Sequence, residues 1–492
     1  MLFNSAEYLL VLLPAAFVLY FVLGKGGQTF AAKMWLVLVS LFFYGWWNPA
    51  YLALLGLSIL VNFWLGTRLI ADGSPDRSNG HRLLVIGILF NLGLLAWFKY
   101  AGFVIDNANS ILNLRLPLPG IVLPLAVSFF TFTQIAYLVD CRRKLAGEYS
   151  FSSYVLFVTF FPHLIAGPIL HHREMMPQFE SPKNLLPRFP NLALGLSLIS
   201  MGLFKKVVIA DTFSVWATAG FDQASALSFF EAWISSLSYT FQLYFDFSGY
   251  TDIALGSALL FNIRLPINFN SPYKARNIQD FWRRWHITLS RFLRDYLYIP
   301  LGGNKRSTAR VLANLMITFV LGGLWHGASW MFVIWGALHG AAMIVHRAWS
   351  QLGIGLPRWI AWLLTFNFVN LAWVFFRARD MADAKRVLEG MAGMHGVVLP
   401  PVFGDWLPQL KSLGISFGPI LRQGNDDFQM MLWLVAAFVI VLAFRNSNQL
   451  APFTGGARAI RPAWAVLCGL MASVSLVGIL ASKYSEFIYF NF

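Results

Sequence analysis

An all-α, polytopic membrane fold is what this sequence predicts, on three observations. The 492 residues are 58% hydrophobic and only 12% charged, with mean hydropathy +0.61, a balance that excludes a soluble multi-domain protein. Charge-free apolar runs recur along the chain, several of them near the length of a membrane span. One run, Val311–His346, holds 36 residues without Asp, Glu, Lys or Arg. As one helix it would be about 54 Å long against a hydrocarbon core of about 30 Å, so it must break or turn. The whole pattern predicts about eleven to thirteen membrane segments, some re-entrant.

Taken in order, Tyr8–Leu23 is preceded by Glu7 rather than by basic residues, and reads as a retained first span instead of a signal peptide. Lys25 and Lys33 follow it, so the positive-inside rule puts the N-terminus outside and their loop in the cytoplasm. Met34–Trp47 leaves, the chain turns at Asn48-Pro49, and Pro49–Thr67 returns to Arg68, Arg77 and Arg82. Leu83–Phe98 leaves again, and Ile121–Val139 returns to Arg142, Arg143 and Lys144. The alternation then fails, because Phe151–Leu170 should exit yet Arg173, Lys183 and Arg188 follow. A turn inside the membrane at Phe161–Pro168, with its two prolines and a glycine, repairs it. The further runs are Asn191–Phe204, Val311–His346, Pro357–Phe376, Phe428–Phe444 and Ala463–Ser482, all within a single membrane domain, 1–492. Residues 377–427 form a long loop with a short helix at Ala382–Met391. Cys141 and Cys468 imply no disulfide framework.

Nearly half of the net charge of +15 lies between Lys274 and Arg310, within a cytoplasmic-side amphipathic segment, 262–310. There Lys274, Arg276, Arg283, Arg284, Arg291, Arg294, Lys305, Arg306 and Arg310 face only Asp280 and Asp295. Topology and attraction to lipid headgroups explain such a loop, and membrane lipid, not nucleic acid, is the partner it suggests. At 100° per residue, Phe281, Trp282, Trp285, Leu289, Phe292, Leu293, Tyr296 and Leu297 share an arc of about 160°, opposite Arg283, Arg284, Arg291 and Arg294. This predicts one interfacial amphipathic helix with His286 at the edge of its apolar face and Ser290 one turn on, within reach of it.

A titratable ring at membrane depth is a functional candidate, because a polar group there costs several kcal/mol unless something uses it. His326 is such a residue, bracketed by Gly322, Gly323 and Gly327 where the long run could break. Asp246 and Asp252 sit among apolar and aromatic residues, and pairing with Arg283, Arg284 or a hydroxyl would give them a structural role. His339 and His346 share a helix face two turns apart, but no carboxylate or thiolate completes a metal site, and no metal is expected.

Five ordered motifs connect these residues. They are Tyr244-Phe-Asp-Phe-Ser-Gly-Tyr-Thr-Asp252, Leu265-Pro-Ile-Asn-Phe-Asn270, Phe281-Trp-Arg-Arg-Trp-His286 with Ser290, Tyr298-Ile-Pro-Leu-Gly-Gly-Asn304, and Gly323-Leu-Trp-His-Gly327 followed by Trp335-Gly-Ala-Leu-His339. Across essentially the whole chain the sequence resembles the membrane-bound O-acyltransferase superfamily, most closely its bacterial alginate O-acetyltransferase branch. The resemblance implies a ring of spans around a central tunnel in the inner membrane of a bacterium. It makes His326 the catalytic histidine and His286 the second family histidine. Asn268 and Asn270, in a motif shared with the teichoic-acid D-alanyl transfer branch, join Asp246 and Asp252 as structural polar candidates.

The chemistry fits these residue types. Moving an acetyl group to a sugar hydroxyl needs a base whose ordinary pKa lies near neutrality, which imidazole has. His326 either deprotonates the hydroxyl or carries the acetyl itself, and the residues leave both open. Backbone amides at Gly323 and Gly327, Trp325 Nε1–H and His286 are candidate oxyanion donors. Lys274, Arg276 and Arg284 are candidate contacts for a donor phosphate if acetyl-CoA or another acetyl donor is the substrate; no bound cofactor is expected. The partners implied are a polysaccharide acceptor and a periplasmic acetyltransferase. D-Alanyl or other acyl transfer to a cell-wall polymer is the alternative, and a proton-coupled transporter with midplane histidines is the alternative of another class.

Overall fold

A computed structural model describes residues 1–71, 77–147, 150–165, 167–421, 427–451, 462–481 and 487–491. The fold is helical throughout, apart from two three-residue strands. Among the described residues, eight helices are long and apolar enough to cross a membrane, and Thr29–Gly45 and Asp427–Ala443 are shorter apolar helices. This is fewer than the eleven to thirteen expected. The runs expected at Met34–Trp47, Ile121–Val139, Phe151–Leu170 and Phe428–Phe444 form shorter helices instead, Thr29–Gly45, Val127–Arg142, Phe151–Thr159 and Asp427–Ala443.

Seven helices position the site: α1 (Asn79–Leu112), α2 (Val127–Arg142), α3 (Phe229–Leu260), α4 (Ile287–Leu293), α5 (Thr308–His326), α6 (Trp330–Gln351) and α7 (Arg358–Arg377). The first of these runs on through a π-helical turn, Ala96–Tyr100, beyond the Leu83–Phe98 limits read from the sequence. Helix α3 starts where the Glu231 carboxylate returns to the Ser228 amide (3.2 Å).

Helix α3 then packs antiparallel on Phe189–Leu203 through two glycine pairs seven residues apart. A Cβ on Gly202 would stand 2.6 Å from the Gly249 carbonyl, and one on Gly195 would stand 2.8 Å from the Gly256 carbonyl. Glycine allows the backbones this approach, which is how apolar helices associate where hydrophobicity cannot drive them together. The seam carries the buried ion pairs Lys206–Asp246 (2.7 Å) and Lys205–Asp252 (2.6 Å). Both aspartates are thus ion-paired, by lysines from the neighbouring helix; Arg283 and Arg284, the partners expected, lie on another segment and do not supply the charge.

The Val311–His346 run breaks as its length requires. Helix α5 passes straight through Gly322 and Gly323 and stops at His326; Gly327 is extended (φ −164°) and Ser329 caps α6 by accepting the Met331 amide (3.2 Å). The break is therefore at Gly327 alone. The other two glycines serve packing: a Cβ on Gly323 would strike the Phe332 carbonyl of α6. At 151–170 the helix Phe151–Thr159 ends at Phe160 and a single turn, Phe161–Leu164, follows, which matches the expected break; Ala166 of that motif lies outside the described residues.

The single amphipathic helix expected through Phe281–Leu297 does not form. Ile278–Trp282 and α4 are separated by residues 283–286, with His286 in the left-handed region (φ 43°). Residues 268–270 intervene: Asn270 N donates to the Arg284 carbonyl (2.9 Å) and Ile287 N to the Asn268 carbonyl (3.0 Å), so strand-like pairing replaces helical bonds. Phe281, Trp282 and Trp285 are buried in the protein core, against the helical bundle. In the 377–427 loop the expected short helix is Met381–Met391, followed by parallel strands Val397–Leu399 and Ile415–Phe417; residues 422–426 lie outside the described residues.

Candidate active site

Helix α5 delivers His326 at its last turn, into the wall of a cavity of about 350 Å³ lined also by Lys99, Ser128, Phe129, Trp325 and Tyr489. The imidazole sits in an aromatic frame. Its centroid lies 5.1 Å from Trp335, 5.2 Å from Phe376, 5.6 Å from Tyr489 and 6.3 Å from the ring of His286. The frame is braced behind by Trp373, stacked on Trp335 at 5.7 Å. Dispersion contacts of this density fix the ring's orientation.

His286 reaches the same place from the other segment, and its left-handed backbone is what turns it inward. Such a conformation is uncommon for a non-glycine residue and is retained where surroundings over-determine it. Here the determinant is Asn268, whose Oδ1 accepts from Thr288 N (3.2 Å) and Thr288 Oγ1 (3.0 Å) and faces His286 Nδ1 at 3.1 Å. Since a backbone amide can only donate, Oδ1 is the acceptor and His286 Nδ1 carries the proton. The lone pair is thereby assigned to Nε2. Burial pushes His286 down to about 3, so the ring is neutral.

Four buried polar atoms around this point have no hydrogen-bond partner among the described residues: His286 Nε2, Trp325 Nε1, His326 Nδ1 and Trp335 Nε1. Leaving such groups unpaired costs about 1–3 kcal/mol each. Two indole donors and two imidazole nitrogens, with Trp325 and His326 in the cavity wall, form a set that a hydroxyl and an acyl carbonyl together would satisfy.

The remaining expectations fare unevenly. Ser290 Oγ donates to the Trp285 carbonyl (3.4 Å), away from the His286 ring, because the turn at His286 rotates that side chain inward. Gly323 has its amide inside α5, and the Gly327 amide points back to the Gly323 carbonyl (3.4 Å). Trp325 Nε1–H is therefore the free donor of the expected set. Lys274 Nζ donates to the Phe444 carbonyl (2.7 Å), Arg284 to Asp280 (2.8 Å) and the Asn270 carbonyl (3.3 Å), and Arg276 is exposed. None of the three lines the His326 cavity. Asn270 Oδ1 accepts from Asn446, a structural bond (3.0 Å).

Sequence reading missed Lys99 and Tyr489. Lys99 falls one residue past the Leu83–Phe98 run, although the apolar helix continues beyond it to Leu112, which is the signal that puts the ammonium inside the helix. For Tyr489, far from every motif in sequence, no comparable signal exists.

Residues 122–379 match the profile of MBOAT, the membrane-bound O-acyltransferase family. The chain belongs to this family. Relatives agree over most of its length. It is 44% identical to a protein named peptidoglycan O-acetyltransferase from Helicobacter pylori, covering 100% of this chain and 98% of the relative. It is 38% identical to a probable alginate O-acetylase, AlgI, from Pseudomonas aeruginosa, over 91% of this chain and 82% of the relative. A teichoic acid D-alanyltransferase from Streptococcus thermophilus is 28% identical over 51% of the chain and 68% of its own length. This MBOAT protein is thus a multi-pass membrane O-acyltransferase, and the transporter alternative that composition left open is set aside.

Proposed function

We propose that this MBOAT protein takes acetyl from a cytoplasmic thioester donor, acetyl-CoA, and passes it through the inner membrane to an exported polysaccharide, directly or by way of a periplasmic acetyltransferase. The observation that carries this reading is the grouping of the His286, Trp325 and His326 rings, with centroids 5.0 to 6.3 Å apart and His286 Nε2, Trp325 Nε1–H and His326 Nδ1 unpaired among the described residues, where Trp325 and His326 line the cavity. His326 takes the acceptor's hydroxyl proton as its oxygen attacks the acetyl carbonyl. Trp325 Nε1–H faces the oxyanion, and collapse expels the thiolate, which receives the proton. If the imidazole is acylated first, the same atoms serve two successive transfers. In this reading the basic 262–310 segment, cytoplasmic by the positive-inside rule, is the donor side, and the mouth of the His326 cavity, lined by Met1, Trp47 and residues 123–129, is the acceptor side.

The relative named for peptidoglycan is 44% identical over the whole chain, against 38% and 35% for two named for alginate, which favours a cell-wall glycan as the acceptor. The test is to express His326→Ala in a strain lacking the native gene and to measure base-labile acetate on purified peptidoglycan and on secreted polysaccharide. Loss from peptidoglycan alone is expected, with the variant still in the membrane. Unchanged acetate on both polymers would overturn the reading.

A further inference from the structure

Between Arg82 and Arg115 the sequence has no Lys or Arg except Lys99, and the chain around it is an apolar helix of membrane-spanning length. An ammonium there is costly unless it is used. Lys99 has no carboxylate partner among the described residues. Instead its Nζ donates to the Trp325 carbonyl (2.6 Å), the His326 carbonyl (3.1 Å) and Ser128 Oγ (3.3 Å), which accounts for all three of its protons. The neighbouring Tyr100 hydroxyl donates to the Leu324 carbonyl (2.7 Å). Leu324, Trp325 and His326 are the last three residues of α5, and the last carbonyls of a helix have no partner within it. Gly327 is extended and forms no left-handed cap, so α5 lacks the usual closure. Lys99 and Tyr100 supply it from α1, at a π-helical turn, a distortion frequent at functional sites. The positive charge also lies at the negative end of the α5 dipole.

We propose that Lys99 is a positioning residue for acyl transfer. Its ammonium clamps the α5 terminus that presents Trp325 and His326, and holds an uncompensated positive charge in the wall of the reaction cavity. This rests on His326 being the transfer centre. The clamp fixes the imidazole and the Trp325 indole relative to the attacked carbonyl, and the charge favours the oxyanion over the neutral carbonyl from which it forms.

Four variants of the full chain separate the alternatives: Lys99→Arg keeps donors and charge, Lys99→Gln keeps donors without charge, Lys99→Met keeps neither, and His326→Ala removes the centre. Initial rates of acetyl transfer would be measured in membrane vesicles supplied with acetyl-CoA, beside base-labile acetate in cells and thermal unfolding of the solubilised protein. Lys99→Arg should stay within about tenfold of wild type, while Lys99→Gln and Lys99→Met lose about 100-fold in kcat with little change in KM. Lys99→Gln as active as Lys99→Arg would overturn the charge role, and Lys99→Met at wild-type rate would overturn the clamp. Should the neutral variants not reach the membrane, Tyr100→Phe, which keeps the charge and removes the companion bond to the Leu324 carbonyl, tests the clamp. A loss of about tenfold in kcat with little change in KM is expected, and a wild-type kcat in a folded Tyr100→Phe would overturn the clamp. An active His326→Ala sinks the catalytic assignment itself, whereas an inactive His326→Ala beside a fully active Lys99→Gln sinks only the present inference.

Discussion

Asn268 Oδ1 lies 3.1 Å from His286 Nδ1 and is already the acceptor for both the amide and the hydroxyl of Thr288, so one side-chain oxygen fixes the tautomer of the histidine beside His326. The expected consequence is that Asn268→Ala, though distant from substrate, lowers acetyl transfer by about 100-fold or more, since a wrong tautomer costs on that scale where an imidazole must act through one nitrogen. Asn268→Asp keeps the acceptor and should retain more activity. Base-labile acetate, normalised to protein in the membrane, measures both. Equal activity in Asn268→Ala and wild type would mean that the tautomer of His286 is irrelevant to the reaction.

The two imidazoles, 6.3 Å apart between centroids, face one set of unpaired atoms. Groups that act as a unit give non-additive losses. His286→Ala combined with His326→Ala should therefore be no slower than His326→Ala alone. If the double variant fell by the product of the single effects, the histidines would be working on independent steps.

Much of this arrangement was legible in the sequence, and the reason differs by residue. His326 stood out because length forces a break in Val311–His346, and the break is at Gly327. His286 was legible as a residue but not in its geometry: helical periodicity in 278–298 was real, yet residues 268–270 compete for the backbone bonds of residues 284–287, and local pattern carries no information about a partner segment. The same limit hid the lysine partners of Asp246 and Asp252. Periodicity says that a carboxylate is buried, not which helix answers it.

The glycine seam between Phe189–Leu203 and α3 makes a prediction about stability alone. A methyl group at Gly202 would stand 2.6 Å from the Gly249 carbonyl and 2.8 Å from Ile253 Cγ1, both on a rigid neighbouring helix. Gly202→Ala should cost about 1–3 kcal/mol, visible as a lower Tm in detergent. Gly93, with nothing within 4 Å of an added Cβ, is the control, and Gly93→Ala should be neutral or stabilising. A Tm for Gly202→Ala at or above wild type would show that the two helices are free to separate.

Acid should destabilise the folded site through His286. Its pKa in the fold is pushed down to about 3 by burial, while in the unfolded chain it returns to about 6.5. Between those values the unfolded chain binds a proton that the folded site refuses. The contribution to stability is therefore complete above about pH 6.5 and is lost progressively as pH falls toward 3. At about pH 5 the deficit is about 2 kcal/mol. Lowering the pH from about 7.5 to about 5 should accordingly depress the Tm of wild type more than that of His286→Gln, which has no proton to gain. Identical depressions in the two proteins would place the folded His286 near its ordinary pKa, and with it would go the neutral ring on which the assigned Nε2 lone pair depends.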